Sequence, residues 1–322
     1  MFAVRPANFR IRTAVLAAFM ALLFGACAQA DGLDTAFSRS PNPDLKFGAY
    51  TYGGVWGGMQ PVLELETAIG RRLDIVHWFM SFDNEWDSNL VAPLGASGRL
   101  PLISWQPSNV SVASIAAGAQ DEYIRSWAVG AAEYAQPVYL RPFPEMNGNW
   151  TSWNGDPDNL VIAWRRMVDI FTAEGAHNVS WVWSPNVLDE PRTEANRMEH
   201  YYPVAAYVDV LALDGYNWGQ VRGYIGWQSF AEILELGYSR ITALGGQPLW
   251  MAETASAEQG GNKGQWVVDM FADSVSYPRL DAIVWFNENK ETDWRINSSA
   301  ATLASFQNVL PQLGGELAAS ER

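Results

Sequence analysis

Eight apolar runs recur along the 322-residue chain: Leu45 to Tyr52, Leu73 to Phe82, Leu100 to Gln106, Val138 to Glu145, Val179 to Ser184, Val208 to Tyr216, Leu249 to Thr254 and Leu280 to Asn287. Most are continuous rather than alternating. Strands buried on both faces have this composition, because helices cover both sides of a parallel sheet or the outside of a barrel. Stretches with helical spacing lie between them, clearest at Asp121 to Ala135, Asp158 to Glu174, Gln228 to Leu244, Lys263 to Ser276 and Ser298 to Leu313. Strand and helix in eightfold alternation predict an α/β chain closed as a single (β/α)8 TIM barrel, with its active site at the C-terminal ends of the strands.

The first 30 residues read differently. Arg5, Arg10 and Arg12 precede an apolar stretch from Ala14 to Ala26, and Ala28-Gln29-Ala30 ends it before Asp31. These are the three parts of a secretory signal peptide cleaved after Ala30. The apolar run is shorter than the about 20 residues a spanning helix requires. Residues 31–322 are then the barrel domain, about 290 residues against the about 250 typical of this architecture. The expected location is secreted or periplasmic in a bacterium. Lipidation at Cys27, after Phe24-Gly25-Ala26, is the second choice and the one route to a membrane. Cys27 is the only cysteine, so cleavage after Ala30 leaves no disulfide, thiol nucleophile or thiolate metal site.

The chain carries a formal net charge of −14, and the leader contributes arginines but no acid, so the remainder is more acidic still. Such a surface disfavours nucleic acid and anionic membranes, and a neutral polymer suits it better than a polyanion.

Two of the apolar runs deliver a carboxyl to their C-terminal edge. Glu145 ends Tyr139-Leu-Arg-Pro-Phe-Pro-Glu, and Glu253 lies in Pro248-Leu-Trp-Met-Ala-Glu-Thr254. Paired carboxyls among aromatic residues suit glycoside hydrolysis: one protonates the leaving oxygen while the other faces the developing oxocarbenium ion. The 16 tryptophans divide on the same logic. Most pack the core, while those at strand ends offer planes for the C–H faces of sugars.

The stretch Arg141-Pro-Phe-Pro-Glu-Met-Asn-Gly-Asn-Trp150, followed by Trp153, resembles the acid/base motif of glycoside hydrolase family 26, the family of endo-β-mannanases and mixed-linkage β-glucanases. Val179 to Asn186, Val208 to Trp218, Ala252 to Thr254 and Ala282 to Asn287 resemble the later strands of that family, so the resemblance spans about Phe47 to Phe306. It implies a retaining enzyme with Glu145 as acid/base and Glu253 as nucleophile, their carboxyls about 5–5.5 Å apart. It also implies that Tyr216 touches the nucleophile. Arg141, four residues before the acid, would lower the nucleophile's pKa if it points inward. The family's usual His directly before the acid is Pro144 here, which has neither a side-chain donor nor an N–H. The two-carboxylate chemistry carries over, whereas with Pro144 in place the resemblance does not by itself imply mannan as the substrate.

Further substrate-binding candidates are Trp285 as the platform under the cleaved sugar, Trp150 and Trp153 on the leaving-group side, and Asn147 and Asn287 as hydroxyl partners. Trp105, Trp183 and Trp218 end strands as either stacking or core residues. His77, in Val76-His-Trp-Phe79, is either a substrate contact or a core histidine. The long connection Asp83 to Gly98 reads as a functional loop, and Ser184 to His200 as a wall of the cleft. Asp83, Glu85 and Asp87 alternate but lack the glycine of a calcium loop. No phosphate loop, dinucleotide fingerprint or Ser-His-Asp signature is present, and no cofactor or metal is expected. The leading expectation is a monomeric, retaining endo-β-glycanase acting on a neutral β-mannan or β-glucan. The alternatives are a periplasmic hydrolase trimming a bacterial exopolysaccharide, or a glycan-binding barrel without catalysis.

Overall fold

A computed structural model of the chain describes residues 41–314. The expected signal peptide, its cleavage site and Cys27 lie outside the described residues. Eight strands form a closed barrel in sequence order: β1 (Lys46–Thr51), β2 (Ile75–Ser81), β3 (Leu100–Gln106), β4 (Val138–Pro142), β5 (Val179–Trp183), β6 (Val210–Asp214), β7 (Leu249–Thr254) and β8 (Leu280–Asn287). Every neighbouring pair is parallel, and β1 pairs β8 from Lys46↔Ala282 to Thr51↔Asn287 to close the ring. Helices α1 (Gln60–Ile69), α2 (Ser88–Ala96), α3 (Val112–Ala116), α4 (Asp121–Tyr134), α5 (Pro157–Ala173), α6 (Phe230–Thr242), α7 (Lys263–Asp273) and α8 (Ala300–Val309) lie between or after the strands.

Side chains alternate along each strand between two cores. Ile75, Leu102, Val182, Val210, Ala212, Trp250, Ala252, Ala282 and Val284 fill the barrel. Their neighbours Phe47, Ile103, Leu140, Trp181, Leu211, Met251 and Ile283 pack in the larger core that includes the helices. Six helices begin on a side-chain cap: Asp156, Ser229, Asn262 and Ser299 each accept from a backbone N–H three residues on, as does Ser111 at α3, and Asp87 at α2 accepts from one two residues on. Each cap satisfies an N–H the helix itself leaves unpaired.

The connection from Asp83 to Gly98 is not one long loop. It contains α2, capped by Asp87, whose side chain accepts from Asn89 N. A proline at position 93 masks the helical pattern. Trp86 packs edge-on against Trp127 at 5.6 Å, so that tryptophan is structural. β4 and β6 are also shorter than their apolar runs, ending at Pro142 and Asp214.

Candidate active site

A cleft of about 1500 Å³ crosses the C-terminal end of the barrel, and Glu145, Trp150, Asn186, Tyr216, Glu253 and Trp294 are among the residues lining it. The two carboxyls reach it by different irregularities. Trp250 and Ala252 face the barrel interior, so strict alternation would turn Glu253 toward the helices. The pairing with β6 instead runs Leu213↔Met251 and then Asp214↔Glu253, and this bulge of one residue brings Glu253 onto the inner face. Glu145 lies three residues past β4. Phe143 and Glu145 both adopt the left-handed region, at φ 51° and 54°. Such strain in non-glycine residues costs about 1–3 kcal/mol each and is found where geometry serves a site. The turn is held by Glu145 N donating to Ser184 O at 2.8 Å and Gly148 N to Glu145 O at 2.8 Å.

The environments of the two carboxyls are opposite. Burial alone pushes the Glu253 carboxyl up, but the Arg141 guanidinium outweighs it, donating to Oε1 at 2.5 Å, and Tyr216 Oη donates to Oε2 at 2.8 Å. Glu253 therefore titrates below the usual range and is an anion. Glu145 is pushed up, first by burial and then by the nearby Glu253 charge. Asn186 Nδ2 (2.6 Å) and Trp150 Nε1 (2.8 Å) donate to it and hold it down only in part. It keeps its proton to higher pH than an ordinary glutamate.

Arg141 also donates to Asp214, which is fully buried and accepts from Ser184 Oγ at 2.9 Å. One guanidinium thus faces two carboxylates. Burial pushes the Asp214 carboxyl well up against the pull of Arg141, and of the two carboxyls Glu253 is the one with access to the cleft. Tyr216 is pushed well above 10 by burial and the adjacent Glu253 charge, and stays a donor.

The other sequence candidates separate by strand parity. Trp285 on β8 and Trp105 on β3 lie on the outer face, fully buried: Trp285 packs edge-on against Phe306 at 4.9 Å, and Trp105 stacks on Trp127 at 4.5 Å. Neither can serve as a sugar platform. Their inner-facing neighbour on β8, Phe286, lines the cleft instead. Trp285 supports the site from behind, its Nε1 donating to Trp294 O at 2.8 Å. Trp183 is likewise core, bonded to Tyr201 O. His77 is fully buried below the cleft, 2.7 Å from Ser104 Oγ, and burial lowers its pKa to about 3, so it is a neutral core histidine. Asn147 and Asn287 do not face the cleft as hydroxyl partners. Asn147 accepts from Asn186 N and donates to Asp189 and the Asn186 and Leu188 carbonyls, while Asn287 links Thr51 Oγ1 to Ile296 N. Trp150 is half exposed at the cleft. Trp153 borders it but is mostly buried, tied to Pro144 O at 2.8 Å.

Sequence reasoning does not single out Asn186, Asp214 or Trp294. Asp214 ends β6 and Asn186 lies three residues past the end of β5, both in stretches already of interest, at the barrel edge where polar residues are conspicuous. Trp294 lies in the loop after β8 with no periodic signal. Among the described residues, no group of three His, Cys, Asp or Glu is arranged to hold a metal ion. Asp83 instead accepts from Ser81 and Asn109 side chains. No helix among those residues is long and apolar enough to cross a membrane.

Residues 114–246 match the family model for glycosyl hydrolase family 26. The chain is 36% identical over 284 residues to Endoglucanase H of Acetivibrio thermocellus, covering 84% of this chain but 31% of that protein. It is 26% identical over 178 residues to a mannan endo-1,4-beta-mannosidase of Bacillus subtilis strain 168, covering 52% of this chain and 43% of the relative. The chain therefore spans less than half the length of these two relatives. In fold it is similar to Bacillus subtilis mannanase man26, with TM-score 0.59, 17% identity, and coverage of 84% of this chain and 86% of that one. With the barrel closed as that fold requires and relatedness extending along most of the sequence, the chain belongs to glycosyl hydrolase family 26.

Proposed function

We propose that this barrel is a retaining endo-β-glycanase that cleaves a neutral β-linked polysaccharide by double displacement. The observation that carries this reading is the opposed titration of Glu253 and Glu145 on one cleft. A depressed carboxylate is a nucleophile and a raised one a proton donor. In the first step Glu253 attacks the anomeric carbon while Glu145 protonates the departing oxygen. Glu145, now an anion, then takes a proton from the water that attacks the same carbon and releases Glu253. Arg141 and Tyr216 hold Glu253 in its charged form and aim it. Asn186 and Trp150 steady Glu145.

The polymer we propose is a β-glucan, with β-mannan as the comparison substrate. Similarity to a protein named an endoglucanase covers more of this chain than similarity to the mannosidases. Pro144 lines the cleft without a donor, and Trp153 already occupies its carbonyl. Arg192, Arg222 and Lys290 share the cleft with Glu190, Glu288 and Glu291, a mixture suited to an uncharged chain. We also infer that the protein is exported with cleavage after Ala30, which the N-terminal sequence of the mature protein would test.

The deciding experiment is a reducing-sugar assay on mixed-linkage β-glucan, glucomannan and galactomannan, with the anomer of the first product read by NMR. Wild type should release β-anomer from the glucan, and Glu253→Gln should reduce turnover to background while still binding polymer. Turnover retained in both Glu253→Gln and Glu145→Gln would overturn the site. An α-anomer would overturn retention, and binding by wild type without release from any polymer would favour a lectin-like role.

A further inference from the structure

Beyond Tyr216 the cleft continues along an aromatic series that ends on a cation. The Tyr216 ring lies 5.2 Å from that of Trp294, and Trp294 meets Trp218 edge-on at 4.9 Å and 84°. The Arg222 guanidinium then lies over Trp218, its Cζ 3.5 Å from the ring centroid. This distance is that of flat stacking. A guanidinium stacked this way directs its N–H donors outward along its edge, in a plane set by the ring. No carboxylate of the described residues pairs with Arg222, although it lines a cleft bordered by several glutamates.

The loop that carries it is a built element. Gly219 and Gly226 pair as an antiparallel bridge, and Gly219 has φ 51°. A Cβ on Gly219 would sit 2.0 Å from Gln259 O, so only glycine permits this close approach to the loop after β7. Within the bridge, Val221 N donates to Trp218 O at 3.0 Å and Ile225 N to Arg222 O at 2.9 Å. Backbone turns therefore set the position of Arg222 relative to Trp218.

We propose that Arg222, backed by Trp218, forms a sugar subsite at the far end of this series, its guanidinium edge donating to adjacent hydroxyls of an uncharged sugar ring. The proposal rests on the β-glycanase reading above and extends it to a site away from the bond cleaved. A guanidinium has donors only, which match hydroxyl oxygens. A carboxylated sugar is disfavoured, because Glu288 and Glu291 border the same cleft.

The test uses β-gluco-oligosaccharides from trisaccharide to hexasaccharide, with kcat/KM followed as a function of length for wild type, Arg222→Ala and Arg222→Lys. The penalty in Arg222→Ala should grow with chain length to about tenfold on the hexasaccharide, the loss of a charged hydrogen-bond donor. Arg222→Lys should lose nearly as much, since lysine keeps the charge but not the planar edge. An unchanged length profile would overturn the proposal, as would a loss equal at every length, which would mean Arg222 serves the catalytic centre. Full activity in Arg222→Lys would also overturn it, leaving charge alone as the cause. Carboxymethylated glucan provides the last arm: if wild type prefers it and Arg222→Ala alone loses that preference, the ligand is an anion and the neutral subsite is wrong. Calorimetric titration of hexasaccharide into Glu253→Gln, with and without Arg222→Ala, reads the same subsite without turnover. Absence of hydrolysis by wild type would count against the β-glycanase reading, whereas an Arg222-dependent loss of affinity in that titration would still support the subsite.

Discussion

At the scale of single residues, one hydrogen bond on each carboxyl tunes a separate limb of the pH profile. In the proposed mechanism the acid limb of kcat/KM follows Glu253, which must be ionised, and the basic limb follows Glu145, which must hold its proton. Tyr216 donates to the ionised Glu253, so Tyr216→Phe removes support for the anion, raises that pKa and moves the acid limb to higher pH. Trp150 likewise lowers Glu145, so Trp150→Phe raises that pKa and moves the basic limb to higher pH. Measured profiles should show the two variants shifting different limbs in the same direction. If both moved one limb, the assignment of roles would fail. Glu145→Ala should lower kcat/KM by about 10²–10⁴-fold on substrates with poor leaving groups, and far less on aryl glycosides whose leaving group needs no proton.

Among the elements, strand-to-strand fit positions both carboxyls. Gly48 on β1 leaves no room for a side chain: a Cβ there would lie 2.6 Å from Ile75 Cβ and 2.7 Å from Ile75 O. Gly48→Ala should force β1 and β2 apart and cost about 1–3 kcal/mol, read by chemical denaturation. A change in midpoint below the resolution of that experiment would show that the strands give way freely. The bulge in β7 and the left-handed turn after β4 are the two departures from regular geometry that matter most. Both are invisible to periodicity, because a bulge is one extra residue in an otherwise regular run. Hence the eight strands could be read from their apolar content, with β3, β7 and β8 at their observed bounds, while the path of Glu253 onto the inner face could not.

Across the whole molecule, stability and chemistry are assigned to opposite ends of the barrel. At the N-terminal end Glu66 accepts from Arg99 Nε and Nη2, at 2.8 and 2.6 Å, and from Leu73 N at 2.9 Å, with both charged side chains buried. Glu66→Gln leaves Arg99 buried without its anion and should cost about 3–5 kcal/mol. Thermal unfolding should report that loss while kcat/KM per folded molecule stays at the wild-type value. A fall in kcat/KM at full occupancy of the native state would show the two ends to be coupled.

The chain by itself determined the architecture, because eight apolar runs separated by helical spacing leave few other ways to bury so much surface. It also determined the identity of the two glutamates as the carboxyls brought to one edge, since their local stretches end strands on the same side of a parallel sheet. Only the tertiary structure decided which side chains face the cleft. Trp285 and Trp105 have the right composition and position in sequence but the wrong parity, and so they support the helices' core. Asn186, Asp214 and Trp294 gain their places from neighbours distant along the chain. The opposed titration of Glu145 and Glu253 is likewise tertiary, since it arises from burial, from Arg141 on β4 reaching across to β7, and from the charge of one carboxyl acting on the other.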